Sequence, residues 1–308
     1  MRTGSRELLL AMALLTLAVV IAFSPDAYVP MLARSFIVPS TILALFISLF
    51  AAFRKRWWVA QAALLGCGIM AVQIQVPHVA LLPAKDRPDI RVFHMNVLQP
   101  NAAFEEAIAQ VLQSDADLVS VQEVGPDWAR ALRDGLLQQY PFVHMEPRTN
   151  CYGIALFSKR PFRLVRTITV AGAPFIEAFL DVDDVPVRLL SVHATSPISY
   201  GHFRRRNEQL IRLGDHLADG DTATIVVGDL NTVPWDQAFM RFCSRSGLRS
   251  TTPMMQRTWP SIGPLALIPL DHVLVSSGIS PAALRTSVIA GSDHRALITD
   301  LNIAHHAR

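Results

Sequence analysis

The chain has 308 residues, of which 51% are hydrophobic and 17% charged, with a formal net charge of +3. Its mean hydropathy of +0.31 excludes an intrinsically disordered chain, and three cysteines in this length exclude a disulfide-stapled miniature scaffold. The charge is uneven: residues 1–83 carry net +4 and residues 84–308 net −1, so the larger part lacks the basic footprint of a non-specific nucleic-acid binder.

Three stretches near the N-terminus are free of Asp, Glu, Lys and Arg: Leu8–Pro25 (18 residues), Ser35–Phe53 (19) and Trp57–Ala84 (28). Each can span about 30 Å of hydrocarbon as a helix, and none shows the polar face of a surface helix. Three transmembrane helices are therefore expected, at about 8–25, 35–53 and 57–79, in an anchor covering residues 1–83. No small-x-small cleavage site stands out and two more apolar stretches follow the first, which argues for a retained anchor. Arg2 and Arg6 precede the first span, and Arg54-Lys55-Arg56 separates the second from the third. Basic loops stay cytoplasmic, so three spans put everything after about Pro83 outside the cytoplasm. Trp57 and Trp58 beside the basic cluster suit an interfacial anchor.

Pro77–Pro88, with prolines at 77, 83 and 88, reads as a linker to a second domain over 84–308. Strands are expected at Ile90–Met95, Leu118–Val121, Pro141–Glu146, Gly153–Phe157, Phe162–Val170, Phe175–Val182, Val187–Val192, Ala223–Val227, Leu265–Leu270, Leu270–Ser276 and Ala296–Leu301. Helices are expected at Ala102–Gln113, Pro126–Gln139, His202–Leu217 and Trp235–Ser246. The run of consecutive strands in the middle argues against a simple doubly wound sheet.

Polar residues close several of these apolar runs: Asn96, Glu123 in Val-Gln-Glu, His193 in Leu-Leu-Ser-Val-His, Asp229 and Asn231 in Gly-Asp-Leu-Asn, and Asp271 in Leu-Asp-His. Asp293 and His294, in Ser-Asp-His, precede the last strand. Groups at successive strand ends can converge on one rim of a sheet. Carboxylates and amides are hard oxygen ligands suited to Mg²⁺, and histidine adds an acid/base group. In this order, with Tyr152-Gly-Ile-Ala-Leu-Phe-Ser-Lys and Thr258-Trp-Pro between them, the motifs over about 88–303 resemble the endonuclease/exonuclease/phosphatase superfamily.

The resemblance implies an α/β fold of two packed sheets flanked by helices, a DNase I-like four-layer sandwich. It implies a metal-dependent phosphoric ester hydrolase using Mg²⁺, with Mn²⁺ as a substitute. Asn96, Glu123 and Asp293 would flank the metal, with Glu123 its main ligand. Asp229 and Asn231 would position the attacking water and the phosphate, and His193 would hold a phosphate oxygen. Asp271 would orient His294, acting as general base or as phosphate-stabilising acid. The layout is similar to membrane-anchored bacterial members, which implies a multi-pass protein of the bacterial inner (cell) membrane with its catalytic domain facing the periplasm or exterior. The partners implied are the lipid bilayer and a phosphoester substrate of the lipid or isoprenoid phosphate class. An extracytoplasmic nuclease acting on nucleic acid, or an inactive binding domain, are the alternatives. Arg204-Arg205-Arg206, near a helix start, could meet an anionic headgroup or the substrate phosphate. A bridge between Cys151 and Cys243 stays open, as does the oligomeric state.

Overall fold

The computed structural model describes residues 2–74, 79, 87–218, 220, 222–251 and 256–304. The chain divides into two compact units, Met1–Val76 with Val233–Gln237, and the remainder.

The N-terminal unit holds α1 (Arg2–Phe23), α2 (Tyr28–Ser35), α3 (Ile37–Phe53) and α4 (Trp57–Val72). At 22 residues, α1 is about 33 Å long. Among the described residues it alone is long and apolar enough to cross a membrane by itself. The pair α2 and α3 passes the same test only if taken together, and the two meet at 63°. With 16 residues, α4 is about 24 Å long and falls short of the hydrocarbon thickness. The expected three-helix anchor is corrected accordingly. The stretch 26–34, between the first two expected spans, is mostly the helix α2, whose buried Arg34 turns back and donates to the carbonyls of Ile21 and Ser24 at the end of α1. The helix expected at 57–79 is α4 and stops at Val72, and most of the expected linker lies outside the described residues.

Gly66 of α4 lies so close to α1 that a Cβ there would come within 2.9 Å of Ala18 Cβ, and Ser48 of α3 donates to the Ala60 carbonyl at 2.8 Å. Small residues and interhelical hydrogen bonds thus hold the helices together. Large apolar side chains point outward instead, as with Phe53 (82% exposed), Phe46 and Leu9 (both 65%). A buried core helix of a water-soluble domain would not leave them so.

The second unit contains β1 (Ile90–Asn96), α5 (Phe104–Ser114), β2 (Leu118–Gln122), α6 (Pro126–Leu136), β3 (Phe142–Glu146), β4 (Ile154–Ser158), β5 (Phe162–Val170), β6 (Ala173–Val182), β7 (Val185–His193), α7 (Tyr200–Leu217), β8 (Ala223–Asp229), α8 (Gln237–Ser246), β9 (Arg249–Ser250), β10 (Asp271–Val275), β11 (Ile279–Val288) and β12 (Arg295–Ile303). Two six-stranded mixed sheets form, in the orders β11-β12-β1-β2-β4-β3 and β5-β6-β7-β8-β10-β9. Ile90, Val92, Leu118, Leu156, Ile176, Leu189, Ile225 and Val273 belong to the core between the sheets. A second core lies under α5 and α6, around Phe93, Val119 and Trp128, and a third under α7 and α8, around Phe175, Leu213 and Phe239. The result is the two packed sheets flanked by helices that the sequence implies.

Two expectations fail locally. The run Leu265–Leu270 makes only the isolated bridges Trp259–Ile268 and Ile262–Leu265, because the turn at Gly263-Pro264 folds it back and Pro269 cannot donate to a ladder. Conversely β11 is a strand that the sequence reading left out. It is an edge strand with Pro281 at a register shift, which breaks the alternating pattern.

The alternation of side chains along a strand builds the site. Ile90 and Val92 of β1 face the inter-sheet core, so His94 and Asn96 continue on the same face. Leu118 leads to Ser120 and Gln122, Val187 and Leu189 to Ser191 and His193, and Ile225 and Val227 to Asp229. On β10, antiparallel to β8, the same face runs from Val275 and Val273 back to Asp271. The space between the sheets is therefore apolar at one end and polar at the other. A layer of small hydroxyls marks the change: Ser120 and Ser191 lie 2.7 Å apart across the two sheets, and the Gln122 amide donates to both.

Candidate active site

Pairing sets which ends meet. β1 and β2 are parallel, as are β7 and β8, so Asn96, Glu123, His193 and Asp229 all lie at C-terminal strand ends. Antiparallel pairing brings the start of β10, Asp271, opposite Asp229, and the start of β12 follows Asp293 and His294. Backbone conformation then turns the side chains inward. Glu123 and Asn231 both have positive φ (63° and 48°), a conformation that costs a non-glycine residue roughly 1–2 kcal/mol and persists only where surroundings impose it. Gly228, just before Asp229, permits a close approach to β7, since a Cβ there would come within 1.8 Å of the Val192 carbonyl oxygen.

Asn96 is the hub of one half of the site. Its Nδ2 donates to Glu123 Oε1 at 3.0 Å and to Asp229 Oδ2 at 3.2 Å, while its Oδ1 accepts from the Leu98 amide at 3.0 Å. The Gln99 amide holds Glu123 Oε2 at 3.0 Å. The amide oxygen of Asn96 is thus already engaged, and its NH₂ group orients two carboxylates. Asp229 Oδ1 accepts from the Asn231 amide at 2.9 Å, and Asn231 Nδ2 donates to the Ala194 carbonyl at 2.9 Å.

The other half centres on Asp271, which is fully buried. Its Oδ2 lies 2.9 Å from His294 Nδ1, and its Oδ1 lies 2.7 Å from His94 Nε2. Its backbone amide donates to Thr258 Oγ1 at 3.2 Å. Asp293 accepts from Trp259 Nε1 at 2.9 Å with one oxygen, and its other oxygen, Oδ1, is buried with no hydrogen-bond partner. Ser292 ties this segment to β1 by donating to the Asn96 carbonyl at 2.8 Å.

The halves meet without closing. Asp229 Oδ2 is 3.6 Å from His294 Nε2 and 3.8 Å from His193 Nε2, both too long for a direct hydrogen bond. A substrate or water oxygen placed among these three atoms would have donors and an acceptor around it.

Electrostatics separates the titrating groups. Burial pushes His294 down, but the nearby Asp271 and Asp229 charges outweigh it and raise its pKa to about 10. Burial lowers His193 to about 4, helped by the His294 charge, so His193 is neutral at pH 7. Burial raises Asp229 to about 7, against the opposing pull of His294 and with the Asp271 charge adding to it. Asp271 itself is held well below the usual carboxylate range: burial opposes this, but the His294 charge and the two histidine hydrogen bonds win. Neighbouring groups with such divergent pKa values mark acid/base sites.

The donor set suits a hard divalent cation. Glu123 and the free Oδ1 of Asp293 would supply carboxylate oxygens, and the partnerless buried Oδ1 is the kind of atom an ion would satisfy. Asp229, Asp271 and His294 also present ligand atoms within 4.8 Å of one another. Each oxygen of the fully buried Asp271 faces an imidazole nitrogen, of His94 or of His294, so that trio fits a proton-handling unit better than a cation cage.

All eight residues singled out in the sequence lie at this rim. His94 was missed, although it shares strand parity with Asn96, and that parity was the available signal. Arg206 departs from its sequence reading: it is buried and donates to the Asn231 carbonyl at 3.2 Å, bracing that loop, whereas Arg204 and Arg205 are exposed. Cys151 and Cys243 are both free.

Residues 93–294 match the sequence model of the Endonuclease/Exonuclease/phosphatase family, and the chain belongs to that family. No curated protein matches the chain in sequence. Solved structures share the fold. A humanized D. rerio TDP2 aligns with TM-score 0.57 at 16% identity, covering 69% of this chain and 98% of its own. An endonuclease/exonuclease/phosphatase from Beutenbergia cavernae aligns with TM-score 0.57 at 18% identity, covering 71% and 72%. Sphingomyelinase C from Streptomyces griseocarneus aligns with TM-score 0.52 at 17% identity, covering 70% and 99%.

Proposed function

We propose that the chain is a membrane-tethered phosphoester hydrolase that uses Mg²⁺ and acts on phosphate esters of lipid or isoprenoid type outside the cytoplasm. The observation carrying this reading is the open triangle of Asp229, His294 and His193, backed by the Asp271–His294 pair on one side and the Asn96–Glu123 pair on the other. Its likeness in fold to sphingomyelinase C, whose name specifies a phospholipid substrate, supports the lipid class. The net −1 charge of residues 84–308 disfavours a nuclease.

Each residue has a part. His294, cationic at neutral pH and held by Asp271, donates Nε2–H toward a non-bridging phosphate oxygen, which favours the phosphate-stabilising role over that of a base. Neutral His193, in its Nε2–H tautomer, donates to a second oxygen. Asp229, held by the Asn231 amide and by Asn96, accepts the proton of a water whose oxygen forms the new P–O bond. The ester P–O bond breaks, and the leaving oxygen takes up a proton. Mg²⁺, when held by Glu123 and Asp293, supplies charge neutralisation at the phosphate. Tethering rests on α1 and on the outward-facing apolar surface of the N-terminal unit.

The test is a substrate screen of the full chain in detergent with Mg²⁺ against phospholipids, isoprenoid phosphates, nucleotides and DNA. Hydrolysis of a lipid phosphoester abolished by EDTA is expected. Turnover confined to DNA would transfer the site to the nuclease reading, and no turnover on any of them would overturn the hydrolase reading.

A further inference from the structure

Scattered apolar side chains on a surface are ordinary, and only their concentration carries meaning. Among the described residues of the second unit, the most exposed large apolar side chains are Ile198 (75%), Leu265 (65%), Ile262 (63%), Tyr200 (61%) and Val288 (52%). All five lie at one end of the sandwich. Ile198 and Tyr200 follow His193 in the β7–α7 connection, and Val288 ends β11 opposite Arg295, the residue after His294. Ile262 and Leu265 face each other across the tip of the Trp259–Ile268 hairpin.

That hairpin is fastened to the catalytic segment. Trp259 Nε1 donates to Asp293 Oδ2 at 2.9 Å, the Ser261 amide to the Asp293 carbonyl at 2.7 Å, and Arg295 Nη2 to the Gly263 carbonyl at 3.0 Å. The β7–α7 connection is fastened as well: the Ala194 amide donates to the Asp229 carbonyl at 2.9 Å, and Tyr152 Oη to Thr195 Oγ1 at 3.1 Å. Two apolar tips thus stand at the mouth of the cleft, on segments tied to Asp293, Arg295 and Asp229. Arg204 and Arg205, both exposed, stand on the first turns of α7 just behind Tyr200.

We propose that these two loops form an interfacial docking surface that dips into an anionic bilayer, so that a headgroup phosphoester enters the cleft without its lipid leaving the membrane. The proposal deepens the lipid-phosphoester reading and rests on it for the substrate. Isoleucine, leucine and tyrosine at loop tips beside arginines match the chemistry of the headgroup–acyl boundary, where apolar groups insert and cations meet lipid phosphates. The apolar N-terminal helix on the same chain keeps a bilayer within reach.

The test uses the full chain with Cys67→Ala and Cys151→Ser, leaving the buried Cys243. Single cysteines are introduced by Ile262→Cys or Ile198→Cys and labelled with an environment-sensitive fluorophore. Leu164→Cys is the control: it pairs with Phe179, which pairs with Arg188 near the start of β7, so it lies at the opposite end of the sandwich. In phosphatidylcholine–phosphatidylglycerol vesicles carrying a nitroxide on the acyl chain, labels at 262 and 198 should be quenched at least twofold more than the label at 164. Equal quenching at all three positions would overturn the proposal, and this reading does not depend on activity. In a second arm, Ile262→Ser combined with Leu265→Ser should lower the ratio of vesicle-phospholipid to soluble-phosphodiester turnover at least tenfold. An unchanged ratio would overturn it. A wild-type chain without any turnover would defeat the hydrolase reading while the quenching still decides the docking.

Discussion

His294 Nδ1 sits 2.9 Å from Asp271 Oδ2, with both side chains buried at the polar end of the inter-sheet core. A buried carboxylate in that position fixes the ring, sets which nitrogen faces the cleft and keeps the imidazole charged. The two residues should therefore behave as one unit. Asp271→Asn is expected to lower kcat on the order of 10²-fold with little change in KM, and His294→Ala on the order of 10³-fold. The double variant should be scarcely worse than His294→Ala. Fully multiplicative losses would show that the residues act independently.

His94 completes the support of the same carboxylate from the other side, at 2.7 Å from Asp271 Oδ1. Replacing it by Leu leaves that oxygen buried without a donor, a cost of about 1–3 kcal/mol in stability. His94→Leu should lower kcat at least tenfold with KM little changed, and His94→Gln, which keeps an N–H donor near the Nε2 position, should recover most of the loss. A Gln variant as impaired as Leu would mean that bulk, and not the hydrogen bond, is what His94 provides.

The raised pKa of His294 has a consequence for stability. Its folded value of about 10 lies above the free value of about 6.5, so its contribution is complete below about pH 6.5 and is lost as pH rises toward 10. Asp271 is shifted the other way, and its contribution is lost only in acid, below the range considered. In EDTA, wild-type chain should melt several degrees above Asp271→Asn near pH 6.5, and the gap should shrink as pH approaches 10. A gap that stays constant from pH 6.5 to 10 would rule out a charged His294–Asp271 pair.

Much of this was legible in the sequence because the site lies at strand ends, where short polar motifs interrupt apolar runs. Asn96, Glu123, Asp229 and His294 stand out for that reason. His94 does not: it lies inside the run Ile90–Met95, and only strand parity with Asn96 shows that it points into the cleft. The Leu265–Leu270 run misleads because composition says strand, whereas Gly263-Pro264 and Pro269 decide the backbone. The N-terminal unit misleads in the opposite sense. Absence of charge marks apolar stretches, but helix ends depend on local turns such as the one Arg34 stabilises, and these set how many helices reach spanning length.

Topology is open to direct measurement for the same reason. With Arg2 and Arg6 at the N-terminal end of α1, a single span would put the C-terminus outside the cytoplasm, and a second crossing by α2 and α3 would return it. A C-terminal alkaline phosphatase fusion is expected to be active in a bacterial host. An inactive fusion, with a fluorescent C-terminal green fluorescent protein fusion, would reject the outward orientation.

Glu123 tests the central claim most directly, because its two oxygens are held by Asn96 and Gln99 and it takes no part in the Asp271 pair. Mg²⁺-dependent phosphoester turnover should be compared between the wild-type chain and Glu123→Gln over a Mg²⁺ titration. The variant is expected to lose at least about 10²-fold in turnover and to require more Mg²⁺ for what remains, with an unchanged circular dichroism spectrum. Turnover at the wild-type rate with the same Mg²⁺ dependence would contradict a metal-dependent phosphoester site at this rim.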